Sequence, residues 1–147
     1  MAKAISPGDE VFLDTSFAIA LSAPTDQFHD RAVRLAAELK SSRTKLVTTR
    51  AVLLEVGNAL SRQRYRAAAV SLLSSFEADP SVEVLPLSES LYAKALELYS
   101  SRPDKEWGLV DCASFVVMSE RAITKALTTD EHFQQSEFRA LLREADC

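Results

Sequence analysis

Four carboxylates stand where they can do chemistry: Asp14 after the apolar run Val11-Phe12-Leu13, Glu55 within an apolar helical stretch, Asp111 in the first turn of the most hydrophobic segment, and Asp130 after Leu127-Thr128-Thr129. Ligands of open parallel sheets bind beyond the carboxyl ends of the strands, so acids that follow strands come first. Carboxylates turned to one rim repel and partly protonate unless a cation neutralises them, so such a cluster implies a bound metal. Oxygen donors without a supporting His or Cys cluster favour Mg²⁺ or Mn²⁺ over Zn²⁺. Each acid also has a plainer reading. Asp14, Asp111 and Asp130 can serve as caps or acidic first-turn residues, and Glu55 shares a helical stripe with Asn58 and Arg62. The metal reading rests on the set.

The elements that must position these acids follow from periodicity. Short apolar runs at 11–13, 45–49, 82–85 and 125–129 read as strands. Helical spacing predicts amphipathic helices over 26–40, 51–65, 67–76 and 88–99, with Ser88 as an N-cap for the last. Residues 109–118 are apolar around most of their circumference, which predicts a central buried helix. Phe133, Phe138, Leu141 and Leu142 can pack a tail against the body. Alternating strand and helix predicts an α/β fold with a mostly parallel sheet covered on both faces.

The whole chain, 1–147, reads as a single domain, with 47% hydrophobic and 26% charged residues among its 147. No apolar stretch is long enough to cross a bilayer, and Met1-Ala2-Lys3-Ala4 lacks the apolar region of a signal peptide, so the expected location is cytoplasmic. Seventeen Lys+Arg against 21 Asp+Glu, net −4, exclude a globally basic nucleic-acid-binding surface and leave room for a local basic groove. Two cysteines, Cys112 and Cys147, make neither a disulfide framework nor a zinc cluster.

Taken together, Val11-Phe12-Leu13-Asp14-Thr15-Ser16, Leu53-Leu54-Glu55-Val56-Gly57-Asn58-Ala59-Leu60, Leu109-Val110-Asp111-Cys112-Ala113-Ser114-Phe115 and Leu127-Thr128-Thr129-Asp130-Glu131-His132-Phe133 resemble the PIN-domain ribonucleases, in particular the VapC-type toxins. The resemblance implies a three-layer α/β/α domain and a Mg²⁺- or Mn²⁺-dependent endoribonuclease, the toxin of a toxin–antitoxin pair. It further implies a cognate antitoxin and a homodimer. Asp14 and Asp111 match the principal metal-binding aspartates, Glu55 the helix glutamate, Asp130 the fourth acid, and Thr15 or Ser16 the hydroxyl beside the first aspartate. One departure is Gly108, where many members carry Ser or Thr three residues before the third acid; it can still cap the helix or let a phosphate approach the backbone.

Metal-assisted attack of water on phosphorus is the expected mechanism, with Glu55 orienting water or acting as base and Asp130 completing a second metal site. Neither His29 nor His132 is required, and both read as surface residues. Arg62, Arg64 and Arg66, placed at the end of the Glu55 helix, form a candidate phosphate track; Arg43, Lys45 and Arg50 form a second, and Trp107 can either stack on a base or pack against the domain. Two other readings stay open: a structure-specific DNA nuclease of the same superfamily, and a non-catalytic partner-binding module of PIN-like fold. A haloacid-dehalogenase-type phosphatase is set aside because Ser16 stands where it needs a second Asp.

Overall fold

A computed structural model describes residues 4–144; Met1, Ala2, Lys3, Ala145, Asp146 and Cys147 lie outside the described residues. The chain runs β1 (Glu10–Leu13), α1 (Thr15–Ser22), α2 (His29–Ser42), β2 (Lys45–Thr49), α3 (Arg50–Ala59), α4 (Gln63–Ala78), β3 (Val82–Leu85), α5 (Glu89–Ser101), α6 (Leu109–Glu120), β4 (Lys125–Leu127), α7 (Glu131–Gln135) and β5 (Arg139–Ala140), then a 3₁₀ turn at Leu141–Arg143. The sheet order is β3-β2-β1-β4-β5, and every pairing is parallel.

β1 lies at the centre, with Phe12 paired to Val47 on one side and Ala126 on the other. Val11, Phe12 and Leu13 are fully buried, as a strand covered on both faces requires. From β1 the chain steps outward to β2 and β3, then returns across the sheet to β4 and β5. Right-handed crossovers in these opposite directions put α1–α4 on one face and α5–α6 on the other. The strand order therefore reverses between β1 and β4, and the carboxyl ends of these two strands open a crevice where ligands bind in open α/β sheets.

The opposite edge of the sheet is closed by ion pairs. Arg121 donates to Glu83 at 2.9 and 3.0 Å and to Glu10 at 3.2 Å, Lys45 reaches Glu83 at 2.9 Å, and Lys125 reaches Asp9 at 2.6 Å. Bonds from Arg121 and Lys45 hold the Glu83 carboxyl down to about 2. Parallel strands carry Lys45, at the start of β2, to the edge away from Asp14, while Arg50 is paired with Glu77. Two members of the second basic track, Lys45 and Arg50, are thus each paired with a glutamate.

A long helix over 51–65 is also corrected. α3 ends at Ala59, and Arg62 is the extended N-cap of α4. A helix running straight on to 65 would start the next one farther from the sheet; the earlier break at 60–62 lets Ala69 and Phe76 bury in one core with Val56 and Leu60. Helix 26–40 begins later, at His29, because Asp26 Oδ1 accepts the Phe28 N–H at 2.8 Å and holds a turn there. β5 is an addition to the four expected strands: two residues are too short to show alternation. Ser88 caps α5 as its sequence predicts, accepting the Leu91 N–H at 3.0 Å. α6 is the buried helix expected at 109–118.

Phe115 of α6 ties the carboxyl-terminal elements together. Its ring meets Trp107 at 5.1 Å and Phe133 at 4.9 Å, both edge to face, and Phe138 at 5.7 Å. Trp107 is buried, donates Nε1–H to Gln135 at 3.0 Å, and carries the Arg102 guanidinium 5.1 Å over its ring. It packs against the domain, which removes the base-stacking reading. Among the described residues no helix is long and apolar enough to cross a membrane.

Candidate active site

Asp14 is the first residue after β1, and it is the N-cap of α1 by backbone geometry alone. Its side chain makes no cap bond. Instead Oδ2 accepts the Thr128 hydroxyl at 2.8 Å and the Ser16 hydroxyl at 3.0 Å. Those hydroxyl oxygens in turn accept backbone N–H groups, Thr128 from Asp130 at 3.0 Å and Ser16 from Thr129 at 2.9 Å. Two short relays thus run from amides of the β4–α7 loop to one carboxylate and lock β1 to β4 at the switch point. Chains of this kind polarise one another and fix the acceptor.

Asp14 is only 4% exposed. Burial pushes its carboxyl up to about 6; the Thr128 and Ser16 bonds pull the other way, and the neighbouring Asp111 charge adds to the rise. Asp111 is raised as well, chiefly by burial, with the His132 contact opposing and the Asp130 charge adding. It sits in the first turn of α6, where its Oδ2 accepts the Gly108 N–H at 3.1 Å. Gly108 is the helix cap, and an added Cβ there would meet Asp111 Oδ2 at an ordinary 3.8 Å. The backbone at 108 holds Asp111 with no contribution from a side chain.

Asp130 caps α7, with Oδ1 accepting the His132 N–H at 2.9 Å. This cap is also part of the cluster, because the same turn aims His132 back at the acids. Its Nδ1 lies 3.2 Å from Asp111 Oδ2 and 3.3 Å from Asp130 Oδ1. One donor atom from each of Asp111, Asp130 and His132 lies within 4.8 Å of the others. The reading of His132 as a bystander is corrected: Phe133 is fully buried, so docking α7 by that ring turns the preceding residue inward. The spacing Asp130-x-His132 was the available signal.

Glu55, half-buried on α3, accepts the Thr15 hydroxyl at 2.5 Å. The stripe it was to share with Arg62 is broken, since Arg62 lies beyond the end of α3. Thr15 and Ser16 both commit their hydroxyl protons to acids, so as placed they orient Glu55 and Asp14. Arg62, Arg64 and Arg66 stand exposed at the α3–α4 corner; Arg66 donates to the Ser61 carbonyl at 2.7 Å, and Arg64 lies 4.7 Å over the Tyr65 ring. They open α4 instead of closing the Glu55 helix, and cations at a helix N-terminus oppose its dipole. Helix stabilisation therefore does not account for them.

The donor set fits a divalent cation. Oxygen from aspartates and one imidazole nitrogen converge, and the raised Asp14 and Asp111 carboxyls are groups whose ionisation a cation would favour. Thr128→Val removes both the donor to Asp14 and the acceptor of the Asp130 N–H. It is expected to weaken Mn²⁺ binding about 10–100-fold with the fold retained, read by calorimetric titration.

The family profile described as PIN domain matches residues 11–138. The 23S rRNA-specific endonuclease VapC20 of Mycobacterium tuberculosis, from strains CDC 1551 / Oshkosh and ATCC 25618 / H37Rv, is 31% identical over 128 residues, spanning 87% of this chain and 95% of that protein. The crystal structure of M. tuberculosis VapC20, a sarcin–ricin loop cleaving toxin, is similar with a TM-score of 0.78 at 29% identity, covering 88% of this chain and 97% of that one.

Proposed function

The chain belongs to the PIN-domain family, and from that premise we propose that it is a Mg²⁺- or Mn²⁺-dependent endoribonuclease acting as the toxin of a toxin–antitoxin pair. The observation that carries the proposal is Asp14, a nearly inaccessible carboxylate fixed beside Asp111 at the sheet's switch point. A fold that only needed a cap would not bury an acid with no cap bond. The likeness to VapC20, described as a 23S rRNA-specific endonuclease, makes RNA the substrate and ribosomal RNA the first pool to test.

A bound divalent cation supplies a Lewis acid for the scissile phosphate and lowers the pKa of water. Asp14, Asp111 and Asp130 would hold it, and the Thr128 and Ser16 hydroxyls keep Asp14 aimed. Glu55 has Oε1 taken by Thr15, which leaves Oε2 to accept the proton of the attacking water. Arg62, Arg64 and Arg66 bind the RNA backbone away from the reacting phosphate. Replacing all three by Ala is expected to raise KM for RNA about tenfold at unchanged kcat. The log–log salt slope of binding should shrink by about 2, at roughly 0.7 per phosphate contact on a single strand. A cognate antitoxin neutralises the acidic crevice with a basic side chain, the domain spans 1–147, and the active form is a cytoplasmic homodimer.

The test is cleavage of ribosomal RNA, a mixed RNA pool and matched DNAs with Mg²⁺ or Mn²⁺, set against EDTA and Asp111→Asn. Cutting of RNA that EDTA stops and the substitution reduces at least about a thousandfold supports the reading, a loss of about 4 kcal/mol in transition-state stabilisation. Preference for DNA would move the substrate to the other nucleic acid, and inert wild type without metal binding would leave a partner-binding module.

A further inference from the structure

His132 is used by nothing in the mechanism above, yet it is the group that stands between two of the acids. Its Nδ1 is 3.2 Å from Asp111 Oδ2 and 3.3 Å from Asp130 Oδ1. Ligands in adjacent positions of an octahedral ion, at bond lengths of about 2.1–2.2 Å, lie about 3 Å apart. The imidazole nitrogen and each carboxylate oxygen are therefore spaced as neighbouring ligands of one ion. The ring is also held in place. Asp130 caps α7 through the backbone N–H of His132 itself, and the adjacent Phe133 is fully buried against Phe115. The side chains of His132, Asp111 and Asp130 keep 24%, 16% and 35% of their surface exposed, enough for an ion to enter from solvent.

We propose that His132 Nδ1 is a direct ligand of the divalent cation held by Asp111 and Asp130, and that this nitrogen makes the centre prefer Mn²⁺ to Mg²⁺. The inference rests on the metal-dependent reading above and adds the identity of a ligand and of the ion. Mg²⁺ is hard, holds its waters and takes oxygen donors, whereas an imidazole suits first-row transition ions. Replacing one oxygen position by nitrogen raises affinity for Mn²⁺ more than for Mg²⁺. A His placed two residues after an acid can thus set metal choice without touching the acids themselves.

The experiment is Mn²⁺ binding to the full chain in a non-coordinating buffer, followed by electron paramagnetic resonance and its spin-echo envelope modulation. Expected is bound Mn²⁺ with coupling to a directly coordinated ¹⁴N, replaced by the ¹⁵N pattern when only histidine is ¹⁵N-labelled. His132→Ala should lose that coupling, and the Mg²⁺ needed to displace half of the Mn²⁺ should fall about tenfold relative to Mn²⁺ affinity in wild type. His29→Ala, a substitution remote from the acids, should retain the coupling. Wild type that binds Mn²⁺ without nitrogen coupling overturns His132 as a ligand and leaves the metal-dependent nuclease standing. Wild type that binds no Mn²⁺ at all overturns both. Because the decisive spectrum is that of wild type, misfolding of a variant cannot obscure the outcome.

Discussion

Asp14→Asn is expected to abolish RNA cleavage and, in EDTA at pH 7.5, to raise the melting temperature by about 4–8 °C. The stability half follows from linkage. The Asp14 carboxyl is raised from 3.8 to about 6 in the folded protein, mainly by burial. Between those two values the folded chain keeps a proton that the unfolded chain has released, so stability falls as pH rises through this window and is flat above it. At about 1.36 kcal/mol per pH unit the ionised group costs the metal-free fold about 3 kcal/mol at neutral pH. Asn keeps an oxygen for the Thr128 and Ser16 hydroxyls and removes the charge, recovering about 2 kcal/mol of that cost, at roughly 2–4 °C per kcal/mol for a chain of this size. At pH 4 the gain should shrink towards zero, because Asp14 is then protonated in the folded protein. Saturating Mn²⁺ should reverse the ranking, since an ion that binds only the folded wild type stabilises it by mass action. Calorimetric scans at pH 4 and 7.5, with and without Mn²⁺, read all four cases. A variant less stable than wild type in EDTA at pH 7.5 would sink the claim that the buried charge is costly.

Phe133→Ala carries the largest expected loss of stability. The ring is fully buried and stacks edge to face on Phe115 at 4.9 Å. Removing it deletes the transfer free energy of an aromatic side chain and leaves a cavity, a cost of about 3–5 kcal/mol. The site should suffer beyond that figure. α7 has five residues, its N-cap is Asp130, and Phe133 is its buried residue. With the ring gone the helix loses its seat, and Asp130 and His132 lose their fixed approach to Asp111. Mn²⁺ affinity measured at a temperature where urea titration shows the variant still folded should drop at least about tenfold. Phe133→Leu, which refills most of the volume, should restore most of both.

The acids were legible because each stands beside an apolar run whose period announces an element end. Val11-Phe12-Leu13 before Asp14 and the all-round apolar face of α6 around Asp111 are signals of that kind. Strand β2 and strand β3 have the bounds that their short runs suggested. What escaped was set by tertiary contact. No Pro separates Arg50 from Ala78, and the one Gly, Gly57, lies inside α3, so periodicity carries the first helix on to 65; the break at 60–62 is dictated by the need to bury Phe76 and Leu60 on the same body. β5 is two residues long and is defined by its partner β4, since a pattern of period two needs more residues to show itself. His132 escaped because its ring direction depends on Phe133 docking under Phe115, a packing event seventeen or more residues away in sequence. The Thr128 hydroxyl likewise looks like an ordinary strand residue until β4 is laid against β1.

The central position of β1 also sets the timing of competence during synthesis. Asp14 is made early and Asp111, Thr128 and Asp130 late, and the first acid acquires its two supporting relays only when β4 slides in beside β1. Domains fold as units, amino-terminal portions first, as the chain leaves the ribosome. A chain made only as far as β3 holds only Asp14 and Glu55 of the acid set. The acid set is therefore complete only once β4 and the start of α7 have joined β1, which ties the whole site to the later-made part of the chain.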